Sequence, residues 1–556
     1  GTSSFIHNTA PTTNSDLLQD FVHGELVDDI QSCWDSGWTD RGQKTANFGE
    51  LRELSTMPGV LLEVAFHDLS ADATQLTTPD FRELAARAIY QGITKYFANQ
   101  DGVTPQLLPE PPTHIAAKND GNGNLTVSWQ APITECGVGT TPTDYKVYMS
   151  THGKGFADGV AASGNSYTFS NLQAGTTYYF KVSATNEGGE SFPTATVAAR
   201  TPQSANNGLH YLIVDGFDRL DRSSAVMQYE SAALGTVRRL FLEKMNSFDY
   251  AVEHAKGLET CNCMYFDGAS NEAVIDASVS LLDYDGVDWY LGEESTVDRT
   301  FDYTEQILIE TYLDNGGHLI VSGAEIGWDI GRSSGGNSSV DFYNNYLKAA
   351  YAGDDGGTYN VAGTGILNGI STSFDDGTNE YNTAFPDRLS ATGGSTVVMN
   401  YNGGTGDGAA TAYSGSFGVV NFGFPLETVT DETARAEILC NSVAFLTPFV
   451  GSCNGTLVKA KLWLQGADNG LLMRTDLNTN NLLPLNQPYN AMPWNYAGNE
   501  SVASAADFPT NTVDWVLLEV RDANDYNTVV ETKAALLLND GTMADVYNTS
   551  QGGLSQ

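Results

Sequence analysis

Met57-Pro-Gly-Val-Leu-Leu-Glu63-Val-Ala-Phe-His67-Asp68 is the stretch from which the organisation of the chain can be worked outward. Pro58-Gly59 punctuates the backbone. Val60–Phe66 then makes an apolar run of strand length with one carboxylate, Glu63, inside it. A carboxylate within such a strand needs a reason, because burying charge is costly unless it is paired or used. Beyond the strand, Phe81 to Phe97 places Leu84, Ala88 and Ile89 on one helical face. Residues 1–98 therefore read as α/β. Thr104-Pro-Gln-Leu-Leu-Pro-Glu-Pro-Pro then marks a Pro-rich linker over 99–112.

The Met-Pro-x-x-Leu-x-Glu-x-x-Phe pattern resembles the strand motif of zinc-dependent N-acetylmuramoyl-L-alanine amidases. Trp38-Thr-Asp-Arg-Gly42, Asn47-Phe48 with Leu51-Arg52, and the downstream Asp72, Leu76, Phe81-Arg82, Ala85, Ala88-Ile89, Gly92-Ile93 and Tyr96-Phe97 fit the same family. Ser4-Phe-Ile-His7-Asn8 is similar to its Ser-x-His-x-Asn strand end, with the Ser and Asn each displaced by one place. The resemblance implies that His7 is a zinc ligand and Glu63 the catalytic acid/base. Such a site needs three protein ligands and an open position for water, whose pKa the metal lowers to about 7. A neighbouring carboxylate then takes the proton and returns it to the leaving amine. The bond cut would be the muramoyl–L-alanine amide of peptidoglycan. The family's other two ligands, a His in a Gly-His-Gly turn and a Glu, are expected upstream of Gly1, so the residues here hold the second half of the domain. His23 and His67 are expected to pack rather than to ligate.

Residues 113–202 alternate apolar and polar positions between Gly, Asn and Pro turns, as in Leu125-Thr-Val-Ser-Trp129, Tyr145-Lys-Val-Tyr148 and Tyr178–Ala184. Trp129 with Pro132, Tyr145-x-Val-Tyr148, Leu172-x-Ala-Gly-Thr-x-Tyr178 and Val182-x-Ala-x-Asn186 resemble a fibronectin type III domain, which implies a seven-strand sandwich.

Residues 208–450 follow β-α-β grammar. Tyr211–Asp215, Tyr284–Leu291 and His318–Ser322 are strands, and Thr304–Asn315 is a helix ended by Gly316-Gly317. The order resembles flavodoxin-like or class I amidotransferase-like domains. The turn where the latter carry a nucleophilic Cys is Val321–Trp328 here; it offers Ser322 and Glu325 and no Cys, and no His follows His318. This domain is expected to bind or support rather than to catalyse. Asp215, Asp218, Glu293 and Glu294 fall at strand ends, where open α/β sheets take ligands. Glycine strings such as Gly403–Gly408 are loops, not a dinucleotide fingerprint.

Residues 455–556 alternate again, in Leu457–Leu464 and Val513–Val520. Lys461-x-Trp-Leu-Gln-Gly466, Met473-x-x-Asp-Leu477, Pro484-x-x-Gln-Pro-Tyr489, Val513-Asp-Trp-Val516 and Ala534-x-Leu-Leu resemble a β-sandwich module found near the C-termini of secreted Bacteroidetes proteins, whose usual length implies further strands past Gln556.

Of the 556 residues, 27 are Lys or Arg and 68 Asp or Glu, a net charge of −41. That surface repels nucleic-acid phosphate and anionic membranes. No apolar run reaches membrane-spanning length, and no leader pattern stands at Gly1. Six cysteines suit an oxidising compartment, with Cys440 and Cys453 near enough in sequence to pair and Cys261-Asn-Cys263 lacking zinc-site companions. The resemblances thus imply a multidomain, secreted or surface-exposed cell-wall hydrolase, using zinc where the upstream ligands are present. Its partners would be peptidoglycan or another surface glycan, with copies of itself or other surface proteins as further candidates. The alternative is a non-enzymatic surface, fibre or adhesin component.

Overall fold

A computed structural model of the chain describes residues 1–134, 140–203, 208–261, 264–447, 461–468, 470, 472–498, 500–502, 504–521, 527–544 and 546. The chain folds as two compact units, Gly1–Phe449 and Val450–Gln556.

The first unit opens with a three-stranded sheet. Thr2–His7 is central, parallel to Asp40–Ala46 on one side and antiparallel to Leu61–Glu63 on the other. The strand expected over Val60–Phe66 is shorter because its far end leaves the ladder. Thr2 Oγ1 donates to the Val64 carbonyl, and the Phe66 amide donates to Asp72. Helix Ser15–Cys33 packs on helix Pro79–Asp101, which starts on Pro79 and ends at a left-handed Gly102, the usual asymmetry of helix ends. Gly92 lets the two helices touch: a Cβ there would lie 2.7 Å from Val22 Cα. Leu26, Ile30, Trp38, Phe81, Ala85 and Ala88 fill the core between them.

The next region is a β-sandwich. Its core holds Val127, Trp129, Tyr145, Val147, Phe180 and Val182, with the Trp129 and Tyr145 rings 5.3 Å apart. The sandwich is joined to the α/β region by backbone pairing. Ala116 and Ala117 pair with Ala269 and Gly268, and Arg200 pairs with Phe266. Only a glycine fits at 268, where a Cβ would meet the Ala198 carbonyl at 2.3 Å. Asn119 seals the join: its Nδ2 donates to the Arg200 and Phe266 carbonyls at 3.0 Å, and its amide to Asp267 at 2.7 Å. An edge strand that would otherwise stand open is thereby covered.

The α/β region carries five parallel strands side by side: Met264–Ser270, Leu209–Asp215, Gly286–Tyr290, His318–Ser322 and Gly418–Phe422. In chain order this is 2-1-3-4-5. Gly408–Ser414 follows antiparallel. Helices Ala251–Leu258 and Glu432–Leu446 pack on one face and Tyr303–Asp314 on the other, each with its own core. Cys440 is bonded to Cys261, 179 residues away, rather than to Cys453. This disulfide ties helix Glu432–Leu446 to the turn that follows helix Ala251–Leu258. Cys136, Cys263 and Cys453 lie outside the described residues.

In the second unit, Thr512–Arg521, Val529–Leu538 and Met543–Ala544 form a three-stranded antiparallel sheet. One face packs on Met473, and the other on Leu483, Val502 and Phe508. Of the expected strand Leu457–Leu464, residues 457–460 lie outside the described residues, and Lys461 makes a single bridge to Thr542. No helix among the described residues is long and apolar enough to cross a membrane.

Candidate functional site

The motif residues of the first hundred positions sit on one small sheet. His7 ends the central strand, and Glu63 pairs with Ser3 on its antiparallel neighbour. Both side chains therefore face the same way, but four residues of strand, about 13 Å, separate their positions. Glu63 is half-buried and accepts the Ser3 hydroxyl at 3.0 Å.

His7 is tied at both ring nitrogens. The Ala10 amide donates to Nδ1 at 2.9 Å, which leaves the proton on Nε2. Nε2 donates to Asn47 Oδ1 at 3.2 Å, an oxygen that also accepts from Arg52. No lone pair of the imidazole is left for a metal. Among the described residues, no cluster of His, Cys, Asp and Glu close enough to hold an ion includes His7 or Glu63. The residues present do not fit a zinc ion in this arrangement. His23 is buried against Asp40 at 2.9 Å, and His67 is exposed.

The strand-end acids of the α/β region do come together. Asp215 closes its strand beside Tyr290, and burial pushes its carboxyl up to about 8. Asp218, Glu294 and Asp298 hold their carboxylates within 4.8 Å of one another. Burial also drives Glu293 and Glu294 well above the carboxylate range. The strand order turns back on itself between Leu209–Asp215 and Gly286–Tyr290, so these groups lie near the carboxyl ends of the strands beside the switch point, where sheets of this kind take ligands. Glu325 occupies the strand-to-helix turn in the left-handed backbone region, at φ 60°. Ser322 is buried below it, its hydroxyl unpaired.

The sequence reading missed His254. It is fully buried between two carboxylates, Nδ1 at 2.7 Å from Asp288 and Nε2 at 3.3 Å from Glu427, whose other oxygen accepts the Tyr381 hydroxyl. Burial alone would lower its pKa. The two acids, Asp288 first, outweigh that and raise it to about 10. Both nitrogens are spent, so His254 cannot serve Ser322 as a base. The available signal was position: His254 lies between Ala251 and Leu258 on the inward stripe of its helix.

Two regions of the chain are similar to known families. Residues 1–95 match the N-acetylmuramoyl-L-alanine amidase family model. Residues 110–200 match the fibronectin type III domain model. An uncharacterized cell wall amidase of Bacillus anthracis is 38% identical over 104 residues, 17% of this chain and 18% of that protein. The sporulation-specific N-acetylmuramoyl-L-alanine amidase of Bacillus subtilis is 39% identical over 88 residues, 16% of this chain and 31% of that protein. Neogenin of Rattus norvegicus is 34% identical over 94 residues, 17% of this chain and 7% of that protein. The chain spans less than a third of the length of these curated relatives.

Proposed function

We propose that the amidase-like region serves peptidoglycan hydrolysis at the muramoyl–L-alanine amide, within a multidomain protein that faces the cell wall outside the cytoplasm. The supporting observation is the amidase family match over residues 1–95, which includes the strand carrying Glu63. In this reading Glu63 takes a proton from the attacking water and passes it to the alanine nitrogen as the C–N bond breaks. The Ser3 hydroxyl fixes its orientation. The family is typically zinc-dependent; here His7 would first have to release the Ala10 amide, whose hydrogen bond into Nδ1 keeps the ring proton on Nε2. The Cys261–Cys440 disulfide suits an oxidising compartment. We further assign the 2-1-3-4-5 sheet to a flavodoxin-like or amidotransferase-like support domain and residues 455–556 to a sandwich-type surface module. Partners of the whole would be peptidoglycan or another surface glycan, copies of itself, or other surface proteins.

The test is digestion of purified peptidoglycan by the full chain, with zinc supplied and withheld. Release of stem peptides with a free L-alanine amine is expected. Glu63→Gln should lower the rate by about 10²–10⁴-fold. One observation favours a second reading, a non-enzymatic surface component: the doubly engaged imidazole of His7. Binding to peptidoglycan without release under either condition would select it.

A further inference from the structure

In a chain of net charge −41, the 23 residues from Leu477 to Asn499 contain no charged side chain. Among the described residues of the second unit, this segment presents the most exposed aromatic and sulfur-bearing side chains: Trp494 is 56% exposed and Met492 80%. Trp494 leans edge-on against Tyr489, with ring centroids 5.3 Å apart.

The loop is held from beneath. The Tyr489 hydroxyl donates to the Trp515 carbonyl at 2.7 Å. Gln487 bridges the Gly498 carbonyl at 2.7 Å and the Tyr489 amide at 2.6 Å, and the Tyr496 amide returns to the Tyr489 carbonyl at 2.9 Å. A loop fixed this way presents its indole without having to order it on binding. Asn490 and Asn495 directly follow the two rings in the chain. The side chains of Asn490 and Asn495 and the Trp494 indole N–H find no partner among the described residues, and both asparagines are exposed.

We propose that Trp494, with Asn490 and Asn495, forms a binding platform for a neutral saccharide chain. Three features choose that occupant. The segment carries no charge of its own, and the carboxylates beside it, Glu500 against Tyr496 and Asp514 near Tyr489, are buried and half-buried, so it favours an uncharged ligand over an anionic one. A pyranose ring offers one face of C–H groups to an aromatic ring, while its hydroxyls point outward to amides. An apolar protein partner would bury the free amides and the indole N–H unpaired, at about 1–3 kcal/mol each. The assignment stands apart from the amidase reading, since it uses no residue of the first unit.

The experiment is calorimetric titration of the full chain with chitotetraose, cellotetraose and xylotetraose, all neutral, each into the millimolar range. At least one should bind saturably. Trp494→Ala should weaken it roughly tenfold or more, Trp494→Tyr should recover part of the loss, and Asn490→Ala with Asn495→Ala should weaken it several-fold. Thermal unfolding checks that the exposed substitution leaves the fold intact. No binding to any of the three sugars, or unchanged binding by Trp494→Ala, overturns the proposal. So does concentration-dependent self-association that Trp494→Ala abolishes without any sugar binding, which would make the patch a protein interface. Loss of peptidoglycan cleavage in Glu63→Gln with sugar binding retained would keep the two proposals distinct.

Discussion

Residues 1–101 and the α/β region around His254 handle their ionisable groups in opposite ways. In the first, the residues with recognisable chemistry sit on a small open sheet. His7 is half-exposed and held by neutral partners, and Glu63 touches one hydroxyl. In the second, no sequence motif announces chemistry, yet an imidazolium and two carboxylates are sealed with no exposure at all. The contrast separates two kinds of information. A motif reports what a region is related to. Burial reports which charges the fold cannot do without, because each member of a sealed network is costly once its partner is gone.

The largest expected effect follows from that. His254→Leu leaves Asp288 and Glu427 facing each other in the core, and should cost the first unit about 3–5 kcal/mol in urea unfolding. A cost under about 1 kcal/mol would show that the acids neutralise themselves by taking up protons, and the contrast between the regions would collapse.

A pH series sharpens the same point. Asp215 and Glu305 are raised by burial to about 8, so between about pH 4 and 8 the folded chain keeps protons that the unfolded chain has released. His254 does likewise between about 6.5 and 10: its contribution is fully present below the first value and is lost as pH rises through the second. All three make stability fall with rising pH. The melting temperature of the first unit should be higher at about pH 5 than at about pH 9, on the order of a few degrees. A higher melting temperature on the alkaline side would mean that these groups are hydrated.

Asn119 tests how far the sealed region extends. Its amide side chain closes the join between the sandwich and the edge strand Met264–Ser270. Asn119→Ala should cost about 1–3 kcal/mol by leaving buried carbonyls unpaired. The wild-type sandwich and α/β region should unfold in one calorimetric transition. A separate sandwich transition already present in the wild type would show that the join carries little energy.

Much of this architecture is legible in the sequence, for physical reasons. Helix Pro79–Asp101 announces itself by the periodicity of Leu84, Ala88 and Ile89, and the sandwich by Trp129 and its alternating neighbours. Gly316, at φ 87°, follows its helix as expected. What stays hidden is whatever depends on distant partners. Ala116, Ala117 and Gly268 are small residues that say nothing about which strand lies beside them. The Cys261–Cys440 bond spans 179 residues, whereas sequence proximity suggests Cys453. The amide of Ala10 and the side chain of Asn47 give no warning that they occupy His7.

The smallest effect belongs to that last residue. His7 gives up two hydrogen bonds to neutral groups when it becomes alanine, and Asn47 keeps its bond from Arg52. Water can reach the Ala10 amide, which is exposed. His7→Ala should therefore change unfolding free energy by no more than about 0.5 kcal/mol, the range of surface substitutions. The measurement is worth making with and without added zinc. If zinc stabilises the wild type and not His7→Ala, the imidazole has given up the Ala10 amide for the metal, since any ligand bound only by the folded chain raises its stability. The first hundred residues would then share with the α/β region a charge the fold depends on. If zinc leaves both proteins unchanged, His7 is held where the sheet puts it, and the difference between the two histidines stands.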